Sequence, residues 1–272
     1  MELNTFLAAG FGPGAILFLI YVFAGGCVYL ALVAEINRRS PAGELPGKTF
    51  GLPEAVLAAA LIGFLLLNIS ASASRPSLQF STRSLVENLL FTLAILLFIV
   101  TFLQFRGFNV GALGGLARMN VTRAIGIGMV LLFFAYPLVG LTELVVQQLF
   151  DGEPSRQNIV EMFSNSRTLR ERMIIIFFAV VIAPVVEEFL FRFFIYGVLR
   201  RYFGRVIGTT ANALLFAAAH THLPSFAPLF VLGACFTVAY EWSGSILVAM
   251  TMHSLFNSVS LVALAFPELL SP

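Results

Sequence analysis

The sequence predicts an all-α fold, a polytopic integral membrane bundle of about eight transmembrane helices. Three observations predict it. Of 272 residues, 59% are hydrophobic and only 11% charged, against roughly 25% charged in soluble domains. Mean hydropathy is +0.93. The apolar residues also gather in runs of about 18 or more, the length of helix that crosses a ~30 Å hydrocarbon core.

The spans are expected near 13–36, 54–71, 85–105, 124–146, 173–199, 206–221, 225–241 and 246–265. The first belongs to an N-terminus with no basic leader. Its apolar stretch is too long for a signal-peptide core and no small-residue cleavage site follows, so it reads as a retained helix. The second is the weakest, because "NISASAS" dilutes its end. Helices four and five contain Pro137 and Pro184, each expected to kink its helix or free a backbone carbonyl. The sixth and seventh are short and joined by "HTHLPS", where Pro224 marks a turn. The polar segment 151–172 can form a short interfacial helix but is too small for a soluble domain. With no internal repeat, residues 1–272 read as one membrane domain.

The net charge of +2 and the lack of any basic block or arginine–aromatic stripe argue against a nucleic-acid partner. Cys27 and Cys235 lie in apolar runs and read as small buried hydrophobes, not as a disulfide or metal cluster. With the N-terminus outside, inner loops carry Arg38, Arg39, Lys48, Arg106, Arg118, Arg123, Arg200, Arg201 and Arg205. Outer loops carry Arg75, Arg83, Arg156, Arg167, Arg170 and Arg172. That excess predicts both termini outside.

The chemistry-bearing residues sit in the C-terminal half. "APVVEEFLFRFFIYGVLRR" places Glu187, Glu188 and Arg192 within an apolar run, where an ionisable group costs about 2.5–3.5 kcal/mol unless paired, hydrated or used. Glu188 and Arg192 are four apart and share a helix face. Glu187 is rotated by about 100° from Glu188, so one carboxylate is left over. A partly desolvated carboxylate of this kind can serve as a general base, or can be a protonated structural group. His220 and His253 also lie in membrane segments, and His253 shares a face with Asn257. Glu187 lies 13 residues before Arg200 and His220 lies 15 after Arg205, which puts both roughly 20 Å deep. A shared depth is the mark of a common site. Glu54, Glu87 and Glu143, near helix ends, read as structural groups at a wet interface. Glu241 reads as ordering a turn, and His222 has no assigned role.

These residues resemble the motifs of the CPBP family of intramembrane proteases, the CAAX protease and bacteriocin-processing family. "EEFLFR" resembles its EExxxR motif, "FAAAH" its FxxxH motif and "HSLFN" its HxxxN motif. The likeness covers 172–264, which it marks as a catalytic helical core, while 1–150 carries no recognised motif. One departure is Phe193, where many members have glycine after the motif arginine; it bears on helix packing.

The resemblance implies peptide-bond hydrolysis inside the bilayer on membrane-associated peptide or protein substrates, CAAX-type C-terminal processing among them. It implies Glu187 as the base that activates water, His220 as its partner, and His253 and Asn257 as stabilisers of the oxyanion. Glu188 and Arg192 support them. No cofactor is favoured; zinc is the alternative, on Glu187, Glu188, His220 and His253. The H-E-x-x-H spacing of soluble zinc proteases is missing. Two other classes compete: a proton-coupled transporter using a Glu/His/Arg relay, which often shows inverted repeats, and an inactive peptide-binding scaffold. The sequence does not specify the oligomeric state.

Overall fold

The structure, a computed structural model, describes residues 12–39, 49–73, 82–149, 163, 166 and 168–266. Every regular element among them is helical. α1 is Pro13–Arg38, α2 Leu52–Ala73, α3 Thr82–Phe105 and α4 Val121–Leu149. Helix then runs from Leu169 to Ala219 with a break at Gly204, and its limbs 169–203 and 205–219 are α5 and α6. α7 is Phe226–Ser243 and α8 Ile246–Ala265.

Six stretches among the described residues are long and apolar enough to cross a bilayer, and Leu89–Phe105 is a shorter apolar helix. The chain is a multi-pass membrane bundle. That count takes Leu169–Ala219 as one stretch of 51 residues, but Gly204 turns it back on itself. Its φ of 78° and ψ of 177° suit glycine alone. A Cβ on Gly208 would lie 3.0 Å from the backbone nitrogen of Arg200, whereas residues eight apart on a straight helix are about 12 Å apart. Each of the eight segments expected from the sequence is therefore a helical limb.

Several boundaries differ from expectation for local reasons. α5 starts at Leu169, not 173, because Thr168 and Glu171 form a capping box. The Thr168 hydroxyl accepts from Glu171 N–H, and the Glu171 carboxylate accepts from Thr168 N–H, both at 3.2 Å. Arg170 and Arg172 thus belong to a helix turn and not to a loop. α2 continues past "NIS" to Ala73, where the Asn68 amide turns back onto Phe64 O at 2.9 Å. A short helix, Val110–Leu113, and a 3-10 turn, Leu116–Arg118, connect α3 to α4. The interfacial helix expected within 151–172 falls mostly outside the described residues.

Both intrahelical prolines behave as their chemistry requires. Pro137 has no N–H to give the carbonyl of Phe133, four residues back, and the Tyr21 hydroxyl of α1 donates there instead. About two turns further along α1, Tyr29 donates to Leu131 O at 3.0 Å, so α1 and α4 are sealed by hydrogen bonds as well as by packing. α4 in turn meets α8, where a Cβ on Gly128 would lie 2.8 Å from Thr251. The turns at Gly115 and Gly244, both at positive φ, dock together through a bond from Ile246 N–H to Gly114 O of 2.9 Å.

One end of the bundle is tied by charge. Glu241 receives Arg205 at 2.6 Å, Arg200 at 3.2 Å and the Tyr196 hydroxyl, so it clamps the α5–α6 hairpin onto α7. Glu241 does more than order its own turn. Glu54 departs from the wet-interface expectation. It is fully buried, accepts from Gly51 N–H at 2.7 Å and pairs with Arg106 at 2.9 Å. Cys235 is buried as expected, whereas Cys27 is exposed on the outer surface of α1, where an apolar thiol faces apolar surroundings.

Candidate active site

Two π-helical turns flank the glutamates of α5. Residues Phe178–Ile182 and Phe189–Ile195 are wound with N–H donating five residues back, as in Ala183 N–H to Phe178 O and Tyr196 N–H to Phe191 O. Only the six residues Ala183–Glu188 between them are α-helical. Each π turn inserts a residue and re-phases the helix face, a device found often at functional sites. The first also accounts for Pro184. In π register its missing N–H leaves the carbonyl of Ala179 without a helical donor, and the Asn257 side-chain amide of α8 donates to that oxygen at 2.7 Å.

Glu188 and Arg192 meet as the spacing predicts, Oε1 to Nη1 at 3.0 Å, and neither is exposed at all. The same Oε1 lies 2.8 Å from Nδ1 of His253. A carboxylate facing an always-charged guanidinium acts as an acceptor, so His253 donates through Nδ1 and presents Nε2 outward. That Nε2 points at Glu187, 4.0 Å from Oε2. The Glu187 side chain is 30% exposed overall, yet its Oε2 is buried and makes no hydrogen bond. Two acidic neighbours are thus separated by task. Glu188 shares its Oε1 between arginine and histidine and keeps a buried Oε2 without a hydrogen bond, whereas Glu187 directs its own unbonded Oε2 at a histidine nitrogen.

His220 ends α6, and its Nδ1 lies 2.8 Å from Phe216 O. A carbonyl only accepts, so Nδ1 carries the proton and Nε2 is again the free nitrogen. The two histidines flank one side chain. The Phe216 ring stands 4.8 Å from the His220 ring and 5.8 Å from that of His253. Its face covers the Arg192 guanidinium at 4.2 Å, with Phe236 at 5.2 Å on another side. A fully buried cation is held here by one carboxylate, by the carbonyl of Gly233 at 3.4 Å and by aromatic faces.

The structure therefore brings Glu187, Glu188, Arg192 and His253 into one contact chain and joins His220 to it through Phe216. Asn257 reaches α5 about two turns earlier, at Ala179. No three His, Cys, Asp or Glu side chains among the described residues form a ligand set for a metal ion. Phe193 points away from these groups, packed on Phe189 at 4.8 Å and Phe50 at 5.9 Å. Phe50 also fills the space beside Gly197, where a Cβ would meet its ring at 2.5 Å. The residue in place of the motif glycine is thus matched by a neighbour and not forced into the site.

Sequence reasoning passed over Phe216, although it begins the "FAAAH" stretch. A phenylalanine in an apolar run carries no signal of its own. The π turns left only Pro184 as a sign.

Residues 169–259 match the family model for Rce1-like proteins, described as type II CAAX prenyl endopeptidases. The chain is also 31% identical over 137 residues to the membrane-embedded CAAX protease MroQ of Staphylococcus aureus (strain USA300). That match covers 48% of this chain and 54% of the relative, so the chain spans about half the length of the protein it resembles. No solved structure matches. Both matches support the CPBP/CAAX protease family that the three motifs resemble.

Proposed function

We propose, for a chain similar to the CPBP/CAAX protease family over its C-terminal half, that it is an intramembrane endopeptidase acting on membrane-associated peptides or proteins. CAAX-type removal of a C-terminal peptide is one form of this activity. One observation carries the reading. Glu187 Oε2 is buried and unpartnered, and it faces Nε2 of a histidine whose other nitrogen is fixed by Glu188. Two acceptors 4.0 Å apart suit a bridging water that donates to both.

In the proposed reaction Glu187 takes a proton from that water as its oxygen attacks the scissile carbonyl carbon. The carbonyl π pair moves to oxygen, giving a tetrahedral oxyanion. Glu187 shares this one proton with Nε2 of His253 across the 4.0 Å between them; the imidazolium so formed is stabilised by Glu188 and donates to the negative oxygen, as the second amide hydrogen of Asn257 can, and the proton returns to Glu187 as the tetrahedral species collapses. The C–N bond then breaks, and the proton held by Glu187, with His220 as its partner, passes to the leaving amine. The products are a carboxylate and an amine. Zinc would be bound by Glu187 and the free Nε2 atoms of His220 and His253. Glu188 does not fit as a ligand, because its Oε1 is shared by Arg192 and His253.

The test uses detergent-purified chain, a prenylated CAAX peptide and a panel of membrane-tail peptides. Glu187→Gln should lower turnover by at least about 100-fold, the worth of a general base, in protein that stays folded and membrane-inserted. Normal turnover by that variant removes Glu187 from the role. Elemental analysis and chelation run beside it on wild type and His220→Ala. Chelator-sensitive activity, with zinc bound by wild type and lost in His220→Ala, would replace the metal-free reading.

A further inference from the structure

Behind Arg192 lies a second polar layer with no place in the reaction described above. Asn212 of α6 and Thr237 of α7 are both completely buried. Within a bilayer such groups persist when paired or used. The Asn212 amide donates to Thr237 Oγ1 at 3.2 Å. The threonine hydroxyl donates to Gly233 O at 2.9 Å. Arg192 Nη2 donates to the same oxygen at 3.4 Å. A threonine bonding back four residues is ordinary in a helix. A fully buried asparagine reaching from another helix to orient that threonine is not required by it.

The consequence is geometric. A carbonyl oxygen has two lone pairs. Gly233 O, the helical acceptor of Thr237 N–H in α7, also receives the Thr237 hydroxyl that Asn212 orients, so where that hydroxyl sits sets the side from which Arg192 Nη2 reaches the oxygen. The glycine lets this happen, since a Cβ at Gly233 would stand 3.0 Å from the Phe216 ring that covers the guanidinium. With Nη2 on Gly233 O, Nη1 lies 3.0 Å from Glu188 Oε1. We propose that Thr237 and Asn212 are positioning residues: they aim Arg192, and through it hold Glu188 against His253. The proposal rests on the proteolytic reading for its kinetic consequence but not for its structural one.

Thr237→Val keeps the shape and removes the hydroxyl, and Thr237→Ser keeps the hydroxyl. Two readouts separate this proposal from the proteolytic reading. The first is turnover against substrate concentration. Thr237→Val and Asn212→Leu should each lower kcat by about tenfold, the worth of a hydrogen bond serving a charged group, with KM unchanged, while Thr237→Ser stays within about twofold of wild type. The second needs no activity. In 15N-histidine-labelled protein the His253 Nδ1 proton, bonded to Glu188, should give a low-field NMR signal that shifts or broadens in Thr237→Val and is restored in Thr237→Ser. If wild type and Glu187→Gln are equally inactive on every peptide, the proteolytic reading fails and the NMR comparison alone decides the positioning role. A folded Thr237→Val protein with the wild-type His253 signal, or with wild-type kcat, overturns the proposal. Loss of the signal in Thr237→Ser as well as in Thr237→Val also overturns it, since general packing would then be the cause.

Discussion

At the scale of single residues, the site is built by giving chemically alike groups different partners. Glu188 has arginine and histidine within 3.0 Å of its Oε1; the Oε2 of Glu187 stands 4.0 Å from the other nitrogen of that histidine, without a hydrogen bond. The buried pair predicts a particular pattern of stability. Removing one member of a buried ion pair costs about 3–5 kcal/mol, because the other charge is left in an apolar interior, whereas replacing both with apolar or neutral groups costs far less. Arg192→Met alone should therefore destabilise the protein severely, and Arg192→Met with Glu188→Gln should recover much of the loss. Thermal unfolding in detergent is the measurement; equal damage in single and double variants would show that the aromatic cage, and not the carboxylate, carries Arg192. The pairing of Glu188 with Arg192 was legible because helical spacing of four is a local rule. The contact of Glu188 with His253, 65 residues away in sequence, was not legible, since shared depth joined Glu187 to His220 and helical spacing gave Glu188 Arg192 alone. Glu54 was misread for the same reason. Its place near a helix end suggested water, and only the long-range partner Arg106 shows why it is buried.

At the scale of elements, each proline transfers a hydrogen bond from its own helix to a neighbour. Pro137 leaves Phe133 O to Tyr21, and Pro184 leaves Ala179 O to Asn257. The sequence implied that each proline frees a carbonyl but not which group would take it up, since nothing local says which helix passes alongside. It also concealed the register. In an α-helix Pro184 would free Val180 O, and the π turn moves the vacant acceptor back to Ala179. A double-mutant cycle tests this account. Asn257→Ala in the native background should cost about 1 kcal/mol, the net worth of one hydrogen bond. In a Pro184→Ala background the restored N–H competes for the same carbonyl, so the cost of Asn257→Ala should shrink. Coupling of at least about 0.5 kcal/mol in unfolding free energy is expected for groups that share a partner; strict additivity would mean that Asn257 is held by something other than the carbonyl the proline frees.

At the scale of the whole molecule, the motifs occupy the C-terminal half, but the structure that supports them does not. α4 stands between α1, α7 and α8. It is joined to α1 through Tyr21 and Tyr29 and to α8 through the seam of Gly128 and Thr251. The turn at Gly114–Gly115 fixes the start of α8, the helix that presents His253 and Asn257. From the other side, Phe50 supports the face of α5 at Phe193, Phe194 and Gly197. The segment without recognised motifs therefore supplies walls that the site needs, which its composition could not reveal: an apolar helix reads alike whether it faces lipid or a neighbour. Membrane helices associate by close packing and interhelical hydrogen bonds and need no covalent link to do so. A chain divided in the polar stretch 151–162 should consequently reassemble. Residues 1–156 and 157–272, co-expressed as separate pieces, should co-purify and give the same His253 NMR signal as the intact chain, while 157–272 expressed alone should be unstable and lack that signal. A stable C-terminal piece with an intact Glu188–His253 contact would show that α5 to α8 suffice, and would reduce α1 and α4 to a casing around a self-contained core.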